Sequence, residues 1–314
     1  MATPWRRAFG ELRRGNLRLS DLHRRRLAVG AYGALRRGLD RAGLQVVVKS
    51  FYSPIPDLRR IPDSAWERRS DLAGIPFDAE RQLSFLEHDL KPFVEEFHGP
   101  APDRAPRYNS ANKSYGPVDA ATLYAMVRFA QPQRIVELGS GHSTLVLGRA
   151  ALANAAAGRR PELMVFDPYP GVAGPDTAGV STFEATAAQD VTADVTGGLA
   201  ENDVLVVDTT HTVKLGGDVN RIVLDLLPRL QPGVYVHFHD IFLPWEYPRV
   251  WLERYGLYWT EQYLVQAFLA CNPHFEVVCA LYALAREYPQ RLSDVYPSWT
   301  PAAPHPGAFW IRSQ

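Results

Sequence analysis

Short apolar runs alternate with stretches of helical periodicity from about residue 119 onward. The strand-like runs are RIVEL (134–138), LMVFD (163–167), DVLVVD (203–208) and GVYVHFHD (233–240). The helix-like stretches are 119–130, a segment that begins near Ser143, and 218–230. Apolar strands that alternate with helices predict a parallel sheet covered by helices on both faces, which is an α/β fold.

The last part of the chain departs from this alternation. A helix pattern at 259–271 leads to the run FEVVCALY (275–282), then to a polar, proline-rich excursion, and finally to the run GAFWIR (307–312). Because no obvious helix pattern separates the last two runs, we expect these two strands to pair antiparallel.

The N-terminal part has a different pattern. Residues 50–107 are punctuated by prolines and contain one convincing helix pattern at 78–97, where leucine and phenylalanine recur every three or four residues. We therefore predict two regions: a basic, helical N-terminal cap at 1–107 and a larger domain at 108–314.

Charge is spread unevenly, although the net charge is zero. Residues 1–48 contain eleven arginines and only Glu11, Asp21 and Asp40, so the remainder is net acidic by eight charges. The favoured interpretation is a basic helical face that packs on the main domain, and contact with anionic lipid or nucleic acid is the alternative. The segment lacks aromatic interleaving and zinc-finger spacing, so no nucleic-acid partner is expected.

The composition is that of an ordinary soluble protein, with 46% hydrophobic and 22% charged residues among 314. Cys271 and Cys279 are too few for a disulfide framework. No apolar run approaches the roughly 20 residues that span a bilayer, and no signal-peptide pattern opens the sequence. We expect a cytoplasmic protein without a transmembrane segment, and the possibility of a homo-oligomer stays open.

A glycine turn follows the first strand-like run. In RIVELGSGHST, Glu137 ends the run, and Gly139, Ser140 and Gly141 precede a helix start. Glycines at such a turn let the backbone approach a ligand closely, and the free amides of a helix N-terminus suit a polar or anionic group.

A dinucleotide-binding dehydrogenase is the alternative for this turn. Its fingerprint has a third glycine, but Thr144 stands at that position. It also has an acid about 20 residues after the turn, and Asp167 lies further on. Glu137 has no role in that fingerprint, so the dehydrogenase is disfavoured.

An acid placed before the two glycines resembles the first motif of the class I S-adenosylmethionine-dependent methyltransferases. The resemblance covers roughly residues 108–314, and within the class the chain is most similar to the small-molecule group often labelled methyltransferase-24. It implies a Rossmann-like, seven-stranded, mostly parallel sheet with an antiparallel last strand. It also implies that S-adenosylmethionine binds at Glu137, Gly139, Ser140, Gly141, Ser143, Asp167 and Asp190.

The resemblance gives these residues different roles. Glu137 would lie near the methionine amino group, and residues 139–141 would pass under the cofactor. Asp167, at the end of LMVFD, matches the acid that accepts hydrogen bonds from the ribose hydroxyls. Asp190 matches the position that commonly contacts adenine.

Polar residues end two further strand-like runs. Ligands of open α/β sheets bind beyond the carboxyl ends of the strands, so Asp208 and Asp240 should face the site. If the family's strand order holds, the two strands are neighbours about 4.8 Å apart, and both carboxylates could meet one cation. His237 and His239 share one face of the strand, with His239 nearer the cleft, and His211 follows Asp208 by three residues.

Our hypothesis is that Asp208, His239 and Asp240 bind a divalent metal, with His211 as a further ligand or a base. Metal-dependent O-methyltransferases that resemble this fold take two aspartates and an asparagine from these strand ends. Ile241 occupies the asparagine position, which argues against an all-oxygen magnesium site. A mixed histidine and carboxylate set suits zinc, iron, manganese or nickel. A metal-free histidine base and purely structural histidines are the two alternatives.

Methyl transfer is an in-line attack on a sulfonium carbon, so an enzyme must align the nucleophile and accept its proton. The predicted catalytic residues are His211, His239 and Asp240. The predicted function is methyl transfer from S-adenosylmethionine to a small molecule, most readily at a hydroxyl, with N- or C-methylation as the alternative in the same fold. From other classes, a histidine/carboxylate iron oxygenase would need a double-stranded β-helix pattern, which is missing here, and a non-catalytic cofactor-binding protein stays open.

Overall fold

The computed structural model describes residues 26–47 and 51–314, with side chains from residue 32 onward in the first range. The chain divides into two compact units, Met1–Ala65 and Trp66–Gln314. The first unit contains helix α1 (Arg26–Arg41) and a 3₁₀ turn at Leu58–Arg60. Most of the arginine-rich segment lies outside the described residues, so its predicted role stays a prediction.

One seven-stranded sheet forms the centre of the second unit. Its strands are β1 (Arg134–Leu138), β2 (Glu162–Phe166), β3 (Thr182–Glu184), β4 (Val204–Val207), β5 (Tyr235–Phe238), β6 (Phe275–Ala280) and β7 (Phe309–Ser313). They lie in the order β3-β2-β1-β4-β5-β7-β6. Strands β1 to β5 are parallel, and β7 runs antiparallel to both β5 and β6. The predicted α/β sheet with its antiparallel last strand is therefore confirmed.

Further helices precede, separate and follow these strands along the chain. They are α2 (Asp63–Trp66), α3 (Ala79–Ser84), α4 (Lys91–His98), α5 (Pro117–Ala130), α6 (His142–Ala156), α7 (Ala193–Gly197), α8 (Asp218–Asn220), α9 (Arg249–Tyr255), α10 (Glu261–Leu269), α11 (Leu281–Glu287) and α12 (Pro289–Val295). A π-helical segment at Phe85–Leu90 joins α3 to α4, and π and 3₁₀ segments at Arg221–Leu226 and Leu227–Arg229 extend α8. A 3₁₀ turn spans Ala188–Asp190. Within the described part of the chain, no helix is both long and apolar enough to cross a membrane.

Several short elements differ from the sequence-based expectation, among them α7 and α9, which the sequence did not predict. Strand β3 has only three residues at the sheet edge, too short to show a period. Helices α11 and α12 replace the irregular excursion, and residues 281–282, predicted as strand, belong to α11. Residues 281–285 are all buried, so this run has no polar face. Without a polar face the sequence shows neither the helical nor the strand period, and the pattern cannot distinguish a helix from a strand. The predicted antiparallel pairing of the last two strands is nevertheless confirmed.

The sheet has a buried hydrophobic cluster on each face. Alternate residues of β1 divide between them, Ile135 entering one cluster and Val136 and Leu138 the other. The predicted helix at 78–97 packs into the first cluster through residues that include Leu83, Leu90 and Val94. Residues 66–107 thus share a compact unit with the sheet, whereas the domain boundary predicted at 107 stays a prediction.

Candidate active site

The glycine turn lies where β1 passes the end of β4. Gly139 has a φ of +89°, and a Cβ built on it would lie 1.9 Å from the backbone oxygen of Asp208. Only glycine fits that approach. Gly141 caps α6 in an extended conformation, and a Cβ there would meet nothing within 4 Å. Its amide donates to the Thr144 hydroxyl at 2.9 Å, which explains a threonine at the third-glycine position.

The two glycines provide a matched test. We expect Gly139→Ala to lower the free energy of unfolding by about 3 kcal/mol or more, because the new methyl collides with backbone at a positive φ. Gly141→Ala should change it by less than about 1 kcal/mol, because its methyl enters open space. Urea unfolding followed by circular dichroism measures both variants. Equal changes in the free energy of unfolding of the two variants would contradict the close contact of Gly139 with the Asp208 backbone.

Glu137 is fully buried in β1. Its Oε1 accepts a hydrogen bond of 2.6 Å from the Ser143 hydroxyl. Its Oε2 is buried and has no hydrogen-bond partner among the described residues. Burial raises the pKa of Glu137 to about 8, although the bond from Ser143 opposes the shift. Buried polar atoms rarely lack a partner, so Oε2 points to a donor from a ligand.

Asp167 follows β2 and is bound to the glycine turn. Its Oδ2 accepts hydrogen bonds of 2.7 Å from both the amide and the hydroxyl of Ser140. Its Oδ1 accepts a bond of 2.7 Å from the Tyr169 amide. The structure therefore brings the predicted ribose acid and the turn together, while Asp190 is exposed in its 3₁₀ turn. That these residues contact a cofactor stays a prediction.

A histidine and carboxylate cluster lies beyond β4 and β5, and comprises Asp119, Asp208, His211, His239, Asp240 and Glu261. His211 joins two of its acids: Nδ1 lies 2.8 Å from Oε2 of Glu261, and Nε2 lies 3.2 Å from Oδ1 of Asp208. The imidazole also packs on Trp259, with ring centroids 4.2 Å apart. The imidazole of His211 is thus buried between the carboxyl groups of Glu261 and Asp208.

His239 occupies the centre of the cluster. Its Nδ1 lies 3.3 Å from Oδ2 of Asp240 and 3.7 Å from Oδ2 of Asp208. Its Nε2 lies 3.7 Å from Oδ2 of Asp119, on α5. The ring stacks on Tyr115 with centroids 4.5 Å apart and planes 25° apart. Three carboxylates therefore surround one imidazole.

These contacts decide the charge of the cluster. Burial alone lowers the pKa of His239, but the charges of Asp240 and Asp208 outweigh burial and raise that pKa well above its usual value. Burial also lowers the pKa of His211, but its bonds to Asp208 and Glu261 outweigh burial and raise that pKa to about 10. Burial raises the pKa of Asp208, but His239 and His211 lower it to about 2. Both imidazoles are therefore cationic at neutral pH.

His237 lies apart from the cluster, within β5. It is fully buried, its Nε2 lies 3.1 Å from the Tyr115 hydroxyl, and its ring packs on Trp310. Burial lowers the pKa of His237 to about 3, so the imidazole is neutral. The hydrogen bond and the ring packing give His237 a structural role.

The predicted metal ligands all belong to this cluster. Nε2 of His211 lies 3.2 Å from Oδ1 of Asp208 and 4.0 Å from Oδ2 of Asp240, and Nδ1 of His239 lies 3.3 Å from the same Asp240 oxygen. Within residues 26–47 and 51–314, however, no three His, Cys, Asp or Glu side chains meet the geometry of a metal site. The predicted ligand set Asp208, His239 and Asp240 therefore stays a prediction.

A cavity of about 500 Å³, called here the acceptor cavity, opens beside His239 and Asp240. Its walls come from three chain segments: the loop and helix start at 110–119, Phe242 and Trp251 after β5, and residues 298–307 before β7. A larger depression of about 730 Å³ lies at the amino ends of β1 and β2 and includes Arg134 and Glu162. That end of a parallel sheet is not where ligands of such folds bind.

Sequence reasoning missed two parts of this cavity. Asp119 belongs to a clear helix pattern, so nothing marked it as a site residue. Its Oδ1 accepts bonds from the amides of Gly307 and Ala308, 188 and 189 residues away in sequence. Trp299 lies in the proline-rich excursion, where spacing gave no signal. Behind Phe242, Oε1 of Gln262 accepts a bond from the Phe242 amide.

Residues 136–241 match a family model described as a methyltransferase domain. A protein from Archaeoglobus fulgidus, named only as uncharacterized, is 31% identical over 128 residues, which cover 38% of this chain and 57% of that protein. The match thus spans just over half of that relative. Two solved structures named cmcI, one with SAH and one with Mg and SAM, align at a TM-score of 0.37 each. They are 16% and 18% identical, and each alignment covers 71% of this chain and 91% or 84% of the other.

At these TM-scores the two structures do not bear on the site. The matched segment runs from β1 to the residue after Asp240 and includes the glycine turn, Asp167 and the ends of β4 and β5. Residues 136–241 are therefore similar to a methyltransferase domain, and the sheet that contains them has the seven-stranded, mostly parallel form that the sequence resemblance implies.

Proposed function

We propose that the protein transfers a methyl group from S-adenosylmethionine to a hydroxyl of a small molecule held in the acceptor cavity. The observation that carries the proposal is the buried, unpartnered Oε2 of Glu137 beside the glycine turn. The carboxyl ends of β1 and β4 pair directly, as do those of β4 and β5, so the turn and Asp240 lie at the same edge of the sheet.

The residues around the turn fit the cofactor. Oε2 of Glu137 would accept a bond from the methionine ammonium, a cation that matches a buried acid. Asp167, held by Ser140, would accept a bond from a ribose hydroxyl through the one lone pair that Oδ1 has left. The cofactor supplies a methyl group on a positively charged sulfur, open to in-line attack.

Asp240 is the proposed proton acceptor. Its carboxylate borders the acceptor cavity and is held by His239 at 3.3 Å. A hydroxyl becomes far more acidic as its oxygen forms the new bond to carbon, so a carboxylate is a sufficient base in the transition state. Because His211 and His239 carry protons already, they act in this proposal by positioning Asp208 and Asp240. Asp240 keeps its predicted catalytic role.

Calorimetric titration with S-adenosylmethionine tests the cofactor, and transfer of a labelled methyl group tests turnover. We expect binding and transfer, both unchanged after EDTA treatment, because the proposed proton path uses Asp240 alone. Metal analysis of the treated protein is the control. Failure to bind the cofactor with Glu137 and Asp167 intact would defeat the proposal, and activity that returns only with an added metal would restore the metal hypothesis.

A cytoplasmic location, a homo-oligomeric state and independence from nucleic acid stay predictions from the sequence.

A further inference from the structure

We infer that the methyl acceptor is a hydroxylated aromatic compound, recognised by an aromatic wall formed by Phe242, Trp251 and Trp299. All three side chains line the acceptor cavity. This inference rests on the proposed function, because it names the substrate class of the same site.

The aromatic wall is fixed in place before any ligand arrives. The rings of Phe242 and Trp251 are perpendicular, with centroids 5.0 Å apart, and Phe242 also packs edge-on against Tyr282 at 4.9 Å. Trp299 is buried, and its Nε1 donates a hydrogen bond of 3.1 Å to the backbone oxygen of Pro304. Rigid aromatic side chains offer a large contact area to a flat ring, with little ordering on binding.

Three ionisable groups of the cavity lie close together. His239 pairs with both Asp240 and Asp119, and the lining also includes Lys113, Ser298 and His305. A ligand with one reactive hydroxyl and a flat apolar body matches an acidic cluster combined with an aromatic wall. Its hydroxyl would meet Asp240 while its ring lies against the wall.

A sugar or polyol would also pack on aromatic rings, but it needs polar partners around its whole rim. Asn112 in the cavity loop offers few, because its Oδ1 accepts bonds from the amides of Ser114 and Tyr115. Its Nδ2 donates to the backbone oxygens of Asn109 and Tyr115. Oδ1 of Asp119 is likewise engaged by two backbone amides. These groups are satisfied within the protein, which favours the aromatic acceptor.

The experiment compares acceptors and tryptophan variants. Catechol, a hydroxycinnamate, glucose and a linear diol are offered with labelled S-adenosylmethionine. We expect transfer to an aromatic probe and none to glucose or the diol. Trp251→Leu and Trp299→Leu should each raise the KM for the aromatic acceptor about tenfold or more, leave cofactor affinity within about twofold, and change kcat less than KM.

Trp299→Phe should retain most of the affinity, because it keeps a ring, and it guards against misfolding of the leucine variant. Trp66→Leu is the matched control, because Trp66 lies in α2 and does not line the cavity. Transfer to glucose or the diol alone, or an unchanged KM in both leucine variants, would overturn the inference. If the cofactor itself fails to bind, the proposed function fails, and direct titration of the aromatic probes still decides the acceptor class.

Discussion

Glu137→Gln should weaken S-adenosylmethionine binding about 100-fold or more, which is the expected cost of removing one member of a buried charge pair. The variant should fold normally. Because the pKa of Glu137 is about 8, its carboxyl group is protonated at neutral pH, and an amide has the same size and charge. The amide oxygen can also accept the bond from Ser143. Calorimetry measures the affinity, and a thermal melt confirms the fold.

Proton release gives this prediction a second readout. Below pH 8 the carboxyl group of Glu137 and the amino group of the cofactor, whose pKa is about 8, each carry a titratable proton before binding. In the bound ion pair, the carboxylate and the ammonium together hold one such proton. Binding should therefore release up to one proton at pH 6 to 7, and affinity should rise with pH until about pH 8. Titrations in buffers of different ionisation enthalpy count the protons. Unchanged affinity and proton release in Glu137→Gln would show that the cofactor amine binds elsewhere.

Asp240→Asn should lower turnover about 1,000-fold, within the range that a general base contributes, while cofactor affinity stays within about threefold. Asp240 has a φ of +57°, and asparagine tolerates this left-handed conformation, so the backbone is preserved. The amide cannot accept the hydroxyl proton. Single-turnover kinetics with saturating cofactor separates this chemical effect from binding.

Asp225→Asn is the matched control, because Asp225 lies in the π-helical segment after α8, where its carboxylate accepts a bond from Arg221 and its backbone oxygen accepts one from Arg229. It should leave turnover unchanged. A turnover within tenfold of the parent in Asp240→Asn would remove Asp240 from the chemistry. If turnover were lost in Asp208→Asn but kept in Asp240→Asn, the general base would be Asp208, at the end of the neighbouring strand β4.

The proposed cofactor half of the site could be outlined from the sequence because its residues are close together in the chain. Glu137, Gly139 and Ser143 lie within one strand, turn and helix start, so spacing alone brings them together. Asp208 and Asp240 were predictable for another reason: each follows a strand, and parallel strands end at one edge of a sheet.

The acceptor half was not predictable in this way. Asp119 and Trp299 reach the cavity from a helix start and from the segment before β7, and no local pattern connects them. The protonation of His211 and His239 could not be predicted from the sequence either, because it depends on which carboxylate each nitrogen faces. Those distances are set by a left-handed residue at Asp240 and by packing on Tyr115 and Trp259.

The sequence by itself determined the class of fold and the cofactor turn, since hydrophobic periodicity and glycine geometry act over a few neighbouring residues. The tertiary structure decided the acceptor cavity, the charge of the histidine and carboxylate cluster, and the placement of α11 and α12. These features depend on contacts between residues far apart in the chain, and such contacts exist only once the sheet and its helices have packed.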